Sequence, residues 1–272
     1  MRTQALVTES DARAIGTFVD RPNGESLGSW HAVAPLGRGG TAEIWHAVSA
    51  DGREAALKLA KRELRRHPAA NALIRHEHAV LSAVASPRLV EPYELIEHKG
   101  AAVLVLEYLP HGDLVPLLGA PPQQWLPAFR TVVGALADLE RHGLAHGDVK
   151  ARNVLFAADG SARLADLTFA RPLDAPAVVT TAAHCLPVQS GALAREADCF
   201  AVAALLFELL TGELPYGVGG LSRDGELPRE VSAVPGTEPL LAEAAAALRA
   251  RGRVQGLSYF TDALESVRPL YG

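Results

Sequence analysis

Cysteine is scarce. Only Cys185 and Cys199 occur in 272 residues, and they are not spaced as metal ligands. That excludes a disulfide scaffold or a zinc ribbon, and two lone thiols fit a reduced, cytoplasmic compartment. Net positive charge is missing too. Lys and Arg total 26 against 31 Asp and Glu, a formal charge of −5. No basic field therefore speaks for nucleic acid or for an acidic membrane surface. The first residues, MRTQALVTESDARAIG, contain no apolar stretch of a secretory leader. The longest apolar run, AVAALLFELL at 201–210, is broken by Glu208 and is too short to span a bilayer. Internal repeats and long low-complexity linkers are absent.

Apolar residues are plentiful, at 49 % of the chain, enough for one large core or two modest ones. Residues 1–28 are mixed and polar and read as an arm. From Trp30 onward, HAVAPLG, AEIWHAV and EAALKLA alternate as strands do, with GRGG and SADG as the turns between them. A helix is expected after Pro68, with Leu73, Ile74, Val80, Leu81 and Val84 at helical spacing. LVEPYELIE (89–97) and AAVLVLEY (101–108) read as two further strands around an HKG turn. Beyond Pro110 the pattern turns helical. A long helix covers 122–143, stopped by Gly143; two small strands, NVLFA and ARLAD, follow, and then an apolar helix over 196–211 ended by Gly212. The stretch 213–236 is rich in Gly and Pro, and two helices close the chain. Five strands and one helix thus precede a mostly helical half. The boundary falls near 108–112, where a ligand site would be favoured.

Just past that boundary stands LAHGDVKARNVLF (144–156), which places His146, Asp148, Lys150 and Asn153 among apolar residues. Buried polar groups are costly unless paired, so this is either a solvated loop or a site. Asp148 is suited to orienting or deprotonating a hydroxyl, and Lys150 to neutralising a transferring phosphoryl group. Asn153 and Asp166 are hard oxygen donors that suit Mg²⁺. Gly37, Gly39 and Gly40 in LGRGGTAEIW form either an ordinary hairpin or one whose bare backbone approaches a polyphosphate. Lys58 is either on the solvent face of its strand or a phosphate ligand. Glu77 on the next helix is either a surface carboxylate or the partner of that lysine.

Gly-rich hairpin, strand Lys, helix Glu, Asp-Lys-Asn loop and strand-end Asp occur here in the order of the protein-kinase signature set. Over about residues 30–268 the chain resembles bacterial eukaryotic-like Ser/Thr protein kinases. The resemblance implies an α+β bilobal protein-kinase-like fold: a five-stranded antiparallel N-lobe with one helix at 29–108, and a mainly helical C-lobe at 109–272. By the same resemblance GRGGTAEI matches the Gly-rich loop, with Ala42 as its third glycine. Lys58 would hold the α- and β-phosphates, with Glu77 as its partner. Glu107, Tyr108 and Leu109 would be the hinge to adenine, and Leu106 the gatekeeper. Ile44, Ala56 and Leu155 would sandwich the ring. Asp148 would be the catalytic base, Lys150 the γ-phosphate contact, and Asn153 and Asp166 the ligands of Mg²⁺ (or Mn²⁺). Asp198 would anchor the catalytic-loop backbone. ATP and a protein substrate are the implied partners, with autophosphorylation at Thr168, Thr180, Thr181 or Ser190.

Four departures from the family pattern stand out. Gly147 replaces the arginine of HRD. DFG reads Asp166-Leu167-Thr168, so the flexible glycine is gone and an in/out switch would be damped. Near Leu186-Pro187-Val188 the usual glutamate is missing, which would leave Arg253 without its expected partner. Residues 213–236 make a poor helix for docking protein substrates. Two other readings keep the fold and differ in what it does. One is a small-molecule kinase, for which HGD speaks and Lys150 against. The other is a scaffold that binds without turnover.

Overall fold

A computed structural model describes residues 26–178, 180–181, 184–186, 191–217, 237–250, 253 and 256–266. Ser190 and nearly all of the Gly/Pro-rich stretch 213–236 lie outside them. The chain divides into two compact units, 1–75 with 92–111, and 76–91 with 112–272.

The first unit is built on one antiparallel sheet. Its strands are β1 (Ser26–Leu27), β2 (Trp30–Arg38), β3 (Ala42–Ser49), β4 (Glu54–Ala60), β5 (Pro92–His98) and β6 (Ala101–Glu107). They lie in the order β1-β2-β3-β4-β6-β5. The five long strands are those expected from the alternating runs. The two-residue β1 is added at the edge by Leu27, which pairs with Trp30 and buries its side chain. That apolar anchor extends the sheet into the stretch expected to be an arm. The register fixes two faces. Trp45 lies opposite Leu57, which lies opposite Val105. With Leu27, Trp30, Ala47, Leu59 and Val103 these form the core of the unit. On the alternate positions Ile44 faces Lys58, and Ala56 faces Leu106. Helix α1 (Pro68–Val84) begins at a proline whose missing N–H would be unsatisfied there in any case. Its residues from His76 onward belong to the second unit.

The second unit is mainly helical. It holds α2 (Pro122–Arg141), α3 (Ala194–Thr211), α4 (Glu238–Arg249) and α5 (Ser258–Ser266). Two short ladders accompany them: β7 (Leu144–Ala145) with β10 (Arg171–Pro172), and β8 (Val154–Phe156) with β9 (Ala162–Leu164). Helix α3 is buried all round from Asp198 to Leu210, as its largely apolar composition there predicts. At its start the Glu196 carboxylate accepts the Leu193 N–H at 2.8 Å, satisfying one of the orphan donors of the first turn. No helix among the described residues is long and apolar enough to cross a membrane.

Candidate active site

In the first unit Lys58 is buried at the middle of β4, which removes the solvent-face alternative for it. The register puts Ile44, Ala56, Lys58 and Leu106, the residue expected as gatekeeper, on the sheet face turned away from the Trp45–Leu57 core. Glu107 ends β6, Leu109 is buried beyond it, and Tyr108 between them stacks on His46 with ring centres 4.3 Å apart. At the hairpin Gly39 N–H donates to Ala42 O at 2.8 Å. A Cβ at Gly37 or Gly40 would meet nothing within 4 Å, and neither has a positive φ. The turn itself does not require glycine there. Glycine there leaves the backbone bare.

In the second unit the stretch 144–156 leaves β7 and becomes irregular, so its polar backbone must find partners outside any ladder. Asp198 on α3 supplies two of them. Its carboxylate accepts His146 N–H at 2.6 Å and Gly147 N–H at 2.8 Å. Full burial pushes the Asp198 carboxyl above its ordinary range, and the two N–H donors pull the other way. The His146 ring closes the next two links. Its Nδ1 accepts Asp148 N–H at 3.2 Å, which leaves the ring proton on Nε2 to donate to Ala165 O at 3.1 Å. Gly147 sits at φ 84°, and a Cβ there would come within 2.7 Å of Phe169 O. A side chain on this backbone would be strained and would require Phe169 O to shift.

Three donors then converge on the Asp148 carboxylate. Lys150 Nζ lies 2.6 Å and Asn153 Nδ2 3.1 Å from its Oδ2, and Thr181 Oγ1 donates to Oδ1 at 2.9 Å. Lys150 Nζ also donates to Thr181 Oγ1 at 2.9 Å, so the hydroxyl accepts from the ammonium and gives to the carboxylate. A carboxylate has about four acceptor positions, so room for one further hydroxyl remains on it. Asn153 Nδ2 is committed to Asp148 O at 2.8 Å as well. That fixes the amide orientation and makes Oδ1 the atom left to face a cation.

Asp166 follows β9, takes a left-handed conformation (φ 66°, ψ 66°) and starts the 3₁₀ turn Leu167–Phe169. Glu77 on α1 is fully buried, which excludes the surface reading, and its Oε1 accepts Leu167 N–H at 3.2 Å. Leu155, on β8, is half-buried and pairs across the ladder with Arg163. The second unit thus brings together Glu77, Asp148, Lys150, Asn153 and Asp166. Among the described residues no three His, Cys, Asp or Glu side chains gather as a metal cluster. Asn153 and Asp166 are two oxygen donors of the right hardness for Mg²⁺ and would be the residues to hold such a cation.

The glutamate usual near Leu186-Pro187-Val188 is absent from the sequence, and Arg253 meets a different acid: its Nε lies 3.6 Å from Glu196 Oε1 at the start of α3. The carboxylate comes from the helix rather than from the loop around Leu186-Pro187-Val188. Thr180 and Thr181, expected only as modification sites, have structural partners: Thr180 Oγ1 donates to Gly147 O at 3.1 Å and Thr181 to Asp148. No sequence pattern points to these bonds. His184 Nε2 lies 2.6 Å from Glu208 Oε2, satisfying the one carboxylate inside the apolar run of α3. Both cysteines are free, and burial pushes the Cys199 thiol up to about 12.

A family model described as a protein kinase domain matches residues 30–227. The serine/threonine-protein kinase PknL of Mycobacterium tuberculosis is 30 % identical over 237 residues, covering 80 % of this chain and 59 % of PknL. The CBL-interacting protein kinase 4 of Oryza sativa is 29 % identical over 232 residues, covering 76 % of this chain and 51 % of that protein. The serine/threonine-protein kinase pkn2 of Myxococcus xanthus is 28 % identical over 220 residues, 74 % of this chain and 26 % of its own length. The chain therefore spans between about a quarter and three fifths of the curated relatives it matches.

Proposed function

The chain belongs to the protein kinase family, among Ser/Thr protein kinases and hence transferases, and on that premise we propose that it moves the γ-phosphoryl group of MgATP to Ser or Thr hydroxyls of a protein substrate. The observation that carries this reading is the Asp148 carboxylate with Lys150 and Thr181 on it and one acceptor position to spare. A substrate hydroxyl at that position is aimed by Asp148 along the line of attack. As its oxygen bonds to the γ-phosphorus, the bond to the β–γ bridging oxygen breaks, ADP leaves, and the hydroxyl proton passes to Asp148. The Lys150 ammonium, fixed by Asp148 and Thr181, neutralises charge on the moving phosphoryl group. Bare backbone at Gly37, Gly39 and Gly40 and the ammonium of Lys58 serve the phosphates, while Ile44, Ala56 and the backbone of Glu107 and Leu109 serve adenine. Asn153 and Asp166 would hold the divalent cation, which supplies charge neutralisation at the phosphate oxygens.

Lys150 also favours a protein hydroxyl over a small-molecule acceptor, because HGDVKARN carries a lysine where Ser/Thr protein kinases have one. Incubation with γ-labelled ATP and Mg²⁺ tests the proposal. Label on the chain itself or on an added basic protein is the expected result. Label confined to small metabolites, or ATP binding without any transfer, contradicts it.

A further inference from the structure

The position that carries glycine in the family's DFG pattern carries Thr168 here, and its side chain has definite partners. Thr168 is buried on the turn after Asp166. Its Oγ1 lies 2.7 Å from Asp166 Oδ1 and 3.0 Å from Glu77 Oε2. The same Glu77 takes the Leu167 N–H through its other oxygen. One residue before Glu77, His76 Nε2 donates to Ala170 O at 2.7 Å. Helix α1 therefore grips the segment 167–170 at both ends of the turn, and the Thr168 hydroxyl is the link that reaches the Asp166 side chain.

A hydroxyl has one proton, so it donates to one carboxylate at a time, and the shorter contact is to Asp166. A non-glycine residue in the left-handed well persists only where its surroundings hold it there. Glycine at 168 would offer no hydroxyl and would widen the backbone choices of the turn.

We infer that Thr168 is a positioning residue: on a turn that helix α1 holds through Glu77 and His76, its hydroxyl donates to the Asp166 carboxylate, so that the side chain assigned to the cation is preset rather than switched in and out. The inference rests on the reading of Asp166 as a cation ligand. It predicts that this chain binds the metal–nucleotide without the loop rearrangement that a glycine permits.

Three variants test it: Thr168→Val, which keeps the shape and removes the hydroxyl, Thr168→Ser, which keeps the hydroxyl, and Thr168→Gly. Two quantities are read, the Mn²⁺ dissociation constant at saturating ATP and the hydrogen-exchange rate of the Leu167 amide in the nucleotide-free chain. T168V is expected to weaken Mn²⁺ binding about tenfold, the lower end for loss of a group that orients a metal ligand, and to speed Leu167 exchange. T168G should do both more strongly, and T168S should restore both. T168V indistinguishable from wild type in both readouts overturns the inference. If T168V does not fold, Thr168→Ala replaces it, with T168S as its control. A wild-type chain that binds no Mn²⁺ with ATP overturns the phosphotransfer reading itself. Wild-type binding with no effect of T168V overturns the role of Thr168 alone.

Discussion

The sheet of the first unit and the stretch 146–153 of the second solve the same problem by opposite means. In β2–β6 backbone pairs with backbone, and side chains are free to divide into a packed face and a face carrying Ile44, Ala56 and Lys58. In 146–153 the backbone turns away from any ladder, and side chains take over. Asp198 holds two N–H groups, the His146 ring holds Asp148 N–H and Ala165 O, and the Asn153 amide holds Asp148 O. The first arrangement tolerates side-chain change wherever the pattern of faces survives. The second gives an irregular backbone that aims Asp148 and Lys150, and it depends on a few buried polar groups each meeting its partner.

This contrast can be broken by substitution. The largest effect on stability is expected in the sheet: Leu57→Ala removes a fully buried side chain from the first core and should cost ~2–5 kcal/mol in denaturant unfolding. Transfer per folded molecule should stay near wild type. Asp198→Asn should cost less, ~1–3 kcal/mol, yet abolish most activity, because one amide oxygen cannot accept both N–H groups and its NH₂ opposes the second. If L57A lost activity and D198N kept it, the division of labour between the two regions would be wrong.

The smallest effect is a pH effect. Burial opposes the charge of Asp138 on α2, but the Ser86 hydroxyl and the Arg88 and Arg141 guanidiniums win and hold its carboxyl below the usual range. A carboxylate with a lowered folded pKa contributes stability above its unfolded value and loses it as pH falls through the folded one. Asp138→Asn should therefore lower the melting temperature at neutral pH by an amount corresponding to about 1 kcal/mol, and the gap to wild type should close below about pH 4. A gap that stays constant across that range contradicts the assignment.

The two regions also differ in how far they can be read from residues alone. HAVAPLG, AEIWHAV and EAALKLA form β2, β3 and β4 because alternation is a local signal that states which face each residue takes. Lys58 and Glu77 stand out as candidates in the sequence, and only burial decides against their surface alternatives. The partners of the stretch 146–153 are another matter. Thr181 meets Asp148 across 33 positions, and His184 meets Glu208 across 24, through loop geometry that no periodicity encodes. Glu208 does leave a trace, as an acid inside an apolar helix that has to be satisfied. The Glu196–Arg253 pair escapes a motif-based reading because the acid stands at the start of α3, whereas the family pattern points to the loop before it. Gly147 is legible as a departure, but the close approach of Phe169 O to it exists only in three dimensions.

The central claim is that the Asp148 carboxylate, aimed by Lys150 and Thr181, performs the chemical step. Single-turnover transfer from γ-labelled ATP in wild type and Asp148→Asn, with nucleotide affinity measured alongside, tests it most directly. Nucleotide affinity should be unchanged and the rate lower by about 10²–10⁴, the range for loss of a general base. An Asp148→Asn chain that transfers phosphate at the wild-type rate would contradict it.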